Sequence, residues 1–172
     1  MGDGYTCDEC GFELELTSAE TVGPQIVEDV ADIARLVTGA GTAVHGRRTP
    51  DVWSPLEYTC HLRDVLLVQR ERVLAARRTD RPEFTPMGRD ERVEHDGYAD
   101  QDPEDVARQL TDAAAMFANV LDRMAPAEWN RTVVYTYPKP WDRSLRWVAV
   151  HTLHEVRHHR LDIERQVDDG DR

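Results

Sequence analysis

Apolar residues recur at helical intervals in four separate stretches of the chain. Ile26, Val30, Ile33 and Val37, broadened by Val27 and Ala34, make the first stripe, the three- and four-residue spacing of an amphipathic helix. Thr17 or Ser18 can cap it, with Glu20 or Thr21 in its first turn, Pro24 marking a first turn or break, and Gly39 and Gly41 closing it. The second stretch opens on Trp53-Ser54-Pro55-Leu56-Glu57, where Ser54 caps, Pro55 takes the first helical position and Glu57 completes a capping box. Tyr58, Leu62, Val65, Leu66, Gln69 and Val73 continue its face. Asp102-Pro103-Glu104-Asp105 starts the third, and Val106, Leu110, Ala113, Phe117, Val120, Leu121 and Met124 give the clearest stripe of all. The fourth begins at Ser144 and runs to about Val167, with Leu145, Ala149, Val156 and Ile163 sharing one face.

Between these stretches the pattern breaks. Residues 46–50 read as a connecting loop. Residues 77–101 lack periodicity and hold Pro82, Pro86, Gly88 and Gly97. A connection of that length suits either a lid over a site, with Tyr98 or His95 reaching in, or a solvated surface loop. Thr132–Tyr137 is β-prone, but Pro138 and Pro140 limit it to a short extended edge. The pattern predicts an all-α protein: a four-helix bundle over residues 17–167, preceded by a short segment 1–16 and followed by a polar tail 168–172.

Composition narrows the function classes. The chain has 172 residues, 40% hydrophobic and 31% charged, which suits one globular domain with a real core. A formal charge of −12 repels phosphate backbones and anionic headgroups, so neither a nucleic-acid nor a membrane partner is expected. Without a long apolar run or a charged-then-apolar leader, the expected location is cytoplasmic. Three cysteines, an odd number, make no disulfide framework.

Chemistry enters with the fourth helix. Four of the seven histidines lie in His151-Thr-Leu-His154-Glu155-Val-Arg-His158-His159. His154 and His158, four apart, point the same way and can grip one ion. His61 on the second helix is the expected third ligand, although a lone histidine on an apolar face is more often a hydrogen-bonded core residue. Three such ligands leave positions open for water or substrate, the arrangement of a catalytic metal. Zinc is the first choice, and nickel, manganese or ferrous iron would also accept imidazole. Asp162, Glu155 or Glu57 could orient the ligand rings, with Glu57 or Asp162 assisting proton transfer. His151 is expected to line the pocket with Tyr58 and Tyr98, and His159 to pair with Glu155 or Asp162. Glu155-x-x-His158 has the spacing of a di-iron half-motif, but the second helix offers no matching Glu-x-x-His. Cys60, about 100° from His61, is read as a packing residue.

The N-terminal Cys7-Asp-Glu-Cys10-Gly11 fits three roles. It could be a zinc half-site completed by histidines or by a second chain in a homodimer, a redox dithiol, or a knuckle without metal.

Trp53-Ser54-x-x-Glu57-x-x-x-His61, followed by His154-Glu155-x-x-His158-His159-x-x-Asp162-Ile163, resembles the DinB-like superfamily over roughly Ser18 to Val167. The resemblance implies an up-down-down-up four-helix bundle with a metal held by His61, His154 and His158. It also implies kinship with mycothiol-dependent maleylpyruvate isomerases and bacillithiol S-transferases, in which the metal activates a low-molecular-weight thiol for a small-molecule substrate. In those isomerases the first residue of the last-helix pair is glutamate. With His154 in that place, the chain is expected to follow the general histidine-triad pattern. The functions that follow are a thiol S-transferase or hydrolase, or a non-catalytic metal-binding stress-response protein.

Overall fold

The computed structural model describes residues 5–136 and 139–168, the last for its backbone only. Five helices carry it: α1 (Val22–Gly39), α2 (Pro55–Arg78), α3 (Arg89–His95), α4 (Pro103–Asp122) and α5 (Leu145–Asp168). Three short strands join them: β1 (Glu83–Phe84), β2 (Thr132–Tyr135) and β3 (Trp141–Ser144).

The start of α2 forms as its sequence dictates. Glu57 N donates to Ser54 Oγ at 3.2 Å and Ser54 N donates to Glu57 Oε2 at 2.8 Å, a complete capping box. Asp102 caps α4, its Oδ1 accepting from the N–H groups of Glu104 and Asp105 at 3.0 Å each. The α1 start differs from expectation. Thr17 and Ser18 lie in a 3-10 turn, Leu16–Thr21, and Thr21 precedes α1 without a side-chain cap. Pro24 is tolerated because first-turn N–H groups lack intrahelical partners anyway.

Helices α4 and α5 each pack against both α1 and α2. Arg146 pairs with Glu20 at one end and Arg160 with Asp32 further along, so α5 and α1 run the same way. Arg63 meets Gln109 and Arg77 meets Arg123 O, so α2 and α4 also run together. Gln166 reaches Trp53 O while His159 meets His61, which sets α5 against α2. The order is up-down-down-up, as expected. Ile26, Ile33, Leu56, Leu62, Leu66, Leu110, Phe117, Leu145 and Ile163 are fully buried between the helices, each contributing about 1.5–3 kcal/mol.

Residues 77–101 are more ordered than their pattern suggests. Asp64 accepts from Tyr98 Oη at 2.7 Å, Arg92 Nη1 at 2.8 Å and Arg63 Nε at 2.9 Å. Burial opposes ionisation of Asp64, but Tyr98, Arg63 and Arg92 outweigh it and hold its pKa below the ordinary value. This polar cluster fastens the segment around α3 to α2. β2 is the middle strand of the sheet, parallel to β1 and antiparallel to β3, not an edge. Pro140 falls in the β2–β3 connection, where no ladder bond is required; Tyr137 and Pro138 lie outside the described residues.

Residues 5–14 fold back on themselves and dock on α5. Thr6 and Glu13 bridge, Cys7 N donates to Phe12 O at 2.9 Å and Gly11 N donates to Cys7 O at 2.8 Å. The turn needs φ +70° at Gly11, which glycine adopts without strain. Leu14 is buried and Phe12 packs against the core. Among the described residues no helix is long and apolar enough to cross a membrane.

Candidate metal centre

Helix α5 carries two interleaved series of residues four apart: His151, Glu155 and His159, then His154, His158 and Asp162. At 100° per residue, His159 lies about 40° from the Leu145–Ile163 line, Glu155 about 80° and His154 about 180°. Glu155 and His159 therefore turn toward α2, and His154 and His158 away from the core.

Donor atoms of His61, Glu155 and His159 all lie within 4.8 Å of one another. His61 comes from α2, where it is 2% exposed, with Trp53 packed at 5.2 Å and the edge of His159 at 5.2 Å. His159 Nδ1 meets Asp162 Oδ2 at 2.9 Å, which leaves Nε2 facing Glu155 Oε2 at 3.8 Å. His151 Nε2 lies 3.7 Å from Glu155 Oε1, and its ring stacks on Trp147 with centroids 4.4 Å apart.

The electrostatics suit a cation. Burial, aided by His159, pushes His61 down to about 4, so its imidazole is neutral at physiological pH. Glu155 is held below its ordinary value: burial opposes this, but His151, His159 and His61 outweigh it. His61 Nδ1 is buried with no hydrogen-bond partner, an unusual state for a core histidine and one that a bound cation relieves. Two imidazoles and one carboxylate from facing helices match the donor set of an open, catalytic site.

This cluster opens on a cavity of about 310 Å³, lined by His61, His151 and Glu155 with Gln69, Arg72 and Tyr135. Residues 86–91 also line it. Arg72 is fixed in place: Nη1 donates to Tyr135 Oη and Gln69 Oε1 at 3.3 Å each, and its guanidinium lies 5.1 Å from the Tyr135 ring centroid. The volume sits at the lower end of ligand pockets, roughly 300–1,000 Å³.

The outward series forms a different cluster. Donor atoms of Cys7, Cys10, His154 and His158 lie within 4.8 Å of one another. Cys7 Sγ is 3.8 Å from His158 Nδ1. His158 Nε2 faces Glu9 Oε2 at 3.4 Å, and Tyr5 Oη meets His154 Nδ1 at 3.2 Å. Backbone hydrogen bonds from Cys10 and Glu9 lower the Cys7 pKa, whereas burial raises that of Cys10.

The expected ligand set is thus divided. His61 does not meet His154 and His158; those two face the N-terminal cysteines, and Glu155 and His159 stand opposite His61. The pair that faces His61 begins one residue later than the pair expected to face it, because the Glu155–His159 side lies nearer the apolar stripe. That angular distance is the signal that could have found both residues.

Glu57 is also displaced from its expected role. Arg47 Nη2 and Nε bind its two oxygens at 2.6 and 2.7 Å while Ser54 N takes Oε2, so both oxygens serve the helix start. Tyr98 is wholly buried on Asp64 and lies outside the cavity, and His95 is exposed. The segment does reach the cavity, through residues 86–91. Tyr58 packs 5.1 Å from His159, behind the cluster, and burial pushes its hydroxyl up to about 12. Asp162 orients a ring and His151 lines the cavity, both as expected. Cys60 is buried, as a packing residue should be.

Comparison with known proteins adds the family context. The profile of the DinB superfamily matches residues 25–163. No curated protein matches the chain. Among solved structures, YfiT from Bacillus subtilis, described as a probable metal-dependent hydrolase with an unusual four-helix bundle topology, aligns with a TM-score of 0.69. The alignment covers 84% of this chain and 85% of YfiT at 13% identity, a likeness of fold.

Proposed function

The chain belongs to the DinB superfamily, and from that premise we propose that it is a metal-dependent enzyme whose centre is His61, Glu155 and His159. The observation that carries this is their convergence within 4.8 Å of one another beside the 310 Å³ cavity, whose wall His61 and Glu155 join. A divalent cation held there, zinc first among the candidates, would lower the pKa of a bound thiol or water into the neutral range.

The protein's own groups define what enters. Arg72, half-buried and braced by Tyr135 and Gln69, offers a positive charge to an anionic electrophile. Residues 86–91 cover part of the cavity, and Asp162 holds the His159 ring by its other nitrogen, the usual way a ligand imidazole is oriented. Glu155 stands first in the last-helix pair, so the glutamate-first form expected of the mycothiol-dependent isomerases fits better than the histidine triad. This supports a low-molecular-weight thiol such as mycothiol as co-substrate, transferred to or adding reversibly to a small acid. Hydrolysis, with water in place of the thiol, is the second reading, favoured by the fold shared with YfiT.

Steady-state assays of thiol conjugation, isomerisation and ester or amide hydrolysis on small carboxylic acids test the proposal. Activity that is abolished by chelation, restored by zinc and absent from His61→Ala and His159→Ala supports it. Activity that survives chelation, or survives in both variants, contradicts it.

A further inference from the structure

We propose that Cys7, Cys10, His154 and His158 form a second, closed metal site that takes one zinc ion, separate from the open centre at His61. All four donors come from one chain and already face a common point. With Zn–S near 2.3 Å and Zn–N near 2.0–2.1 Å, a tetrahedral site places sulfur and nitrogen ligands about 3.6 Å apart. The observed Cys7 Sγ to His158 Nδ1 separation is 3.8 Å, so that edge is within tenths of an ångström of the closed site, and the remaining donors lie within 4.8 Å of one another.

Polar groups of the hairpin direct both imidazoles. Tyr5 Oη holds His154 by Nδ1 and leaves Nε2, buried and without a hydrogen-bond partner. Glu9 Oε2 faces His158 Nε2 and leaves Nδ1 to the sulfurs. Each imidazole thus has one nitrogen directed by the hairpin and one toward the cysteines, as ligand histidines do. The Gly11 turn, with Gly11 N on Cys7 O, brings the two sulfurs to one side.

Position on α5 gives a further reason. His154 stands about 180° from the core line on a helix of 100° per residue, where a histidine would ordinarily be solvated. It is nevertheless only 7% exposed, because Tyr5 and Phe12 lie over it. The hairpin and the outer face of α5 are built for each other. Thiolate donors favour zinc over hard cations, and binding releases the two cysteine protons to solvent with no change of oxidation state. Four protein ligands leave no position for substrate, so the site clamps residues 5–14 onto α5, whose inner face presents Glu155 and His159.

Metal analysis and cobalt spectroscopy of the full chain test this. The expected result is two metals per chain and, with Co(II), intense tetrahedral bands with thiolate-to-cobalt charge transfer. Cys7→Ser/Cys10→Ser should remove that absorption and one metal, while His61→Ala removes the other metal and keeps the absorption. Cys60→Ala should change neither. A chain purified anaerobically that shows no thiolate absorption with Co(II), or a double variant that keeps both metals, overturns the site. If the double variant fails to fold, zinc X-ray absorption of the unaltered chain decides. Sulfur scattering near 2.3 Å supports the proposal, and its absence refutes it. A monomer with full thiolate absorption supports a site within one chain, and absorption confined to dimers contradicts it.

Discussion

His158 and His159 are adjacent in the chain, with ring centroids 5.3 Å apart and planes at 87°; both lie near Asp162, yet only His158 joins the cysteine-facing group and only His159 the group with His61. His158 turns Nδ1 to Cys7 Sγ, and His159 turns Nε2 to Glu155 Oε2, each at 3.8 Å. One step of about 100° along α5 separates the outward, sulfur-rich cluster from the inward one that faces His61. His154 and Glu155 make the same division one turn earlier.

Asp162 should matter through His159. Its Oδ2 accepts from His159 Nδ1 at 2.9 Å and so orients the ring. Asp162→Asn is expected to weaken metal binding at the inner centre by about 10–100-fold with helix content unchanged. Chelator competition followed by elemental analysis reads this directly; an unaltered affinity would count against the orienting role.

Arg72 should govern substrate binding. Arg72→Met removes the braced guanidinium of the cavity, and kcat/KM for anionic substrates is expected to fall about 10–100-fold, corresponding to 1.4–2.8 kcal/mol. Neutral analogues should be affected far less. Equal losses for both substrate types would show that Arg72 only supports the fold.

Glu57 should carry stability rather than chemistry. It unites the Ser54 capping box with a two-point ion pair to Arg47, and is 2% exposed. Glu57→Ala should cost about 2 kcal/mol, the sum of a lost cap and a half-exposed ion pair. At roughly 2–4 °C per kcal/mol for this chain length, Tm should drop about 4–8 °C. Metal content and turnover at 25 °C should remain. A catalytic loss at unchanged Tm would restore Glu57 to the site.

Asp64 sets part of the acid limb of stability. Its folded pKa is depressed: burial pulls upward, and Tyr98, Arg63 and Arg92 prevail. The stabilisation is therefore fully present above the unfolded carboxylate value of about 3.9, and is lost as pH falls through the lower folded value. Urea unfolding against pH should show Asp64→Asn less stable at neutral pH, the gap to the unaltered protein closing below about pH 4. A constant gap across that range would refute the assignment.

Much of the fold was legible in the sequence because its signals are local. Ser54-Pro55-x-Glu57 and Asp102-Pro103 specify helix starts by their own hydrogen bonds, and Ile26, Val30, Ile33 and Val37 of α1 and the stripe of α4 lie in the core, although Val27 is exposed. The site was harder to read because it depends on which face of α5 meets α2. His154/His158 and Glu155/His159 are both pairs four apart, and spacing alone favours neither. The angle to Leu145 and Ile163 favours the second, and the hairpin laid over α5 explains why His154 is also buried. Tyr98 and β2 depend on partners distant in sequence, Asp64 for one and Phe84 and Asp142 beside the other, which no local pattern announces.

Anomalous diffraction from crystals of the metal-loaded protein, collected on either side of the zinc edge, tests the inner centre most directly. The expected map has a peak bounded by His61, Glu155 and His159. A peak bounded by His61, His154 and His158, or no peak beside His61 in a fully loaded chain, would contradict the account.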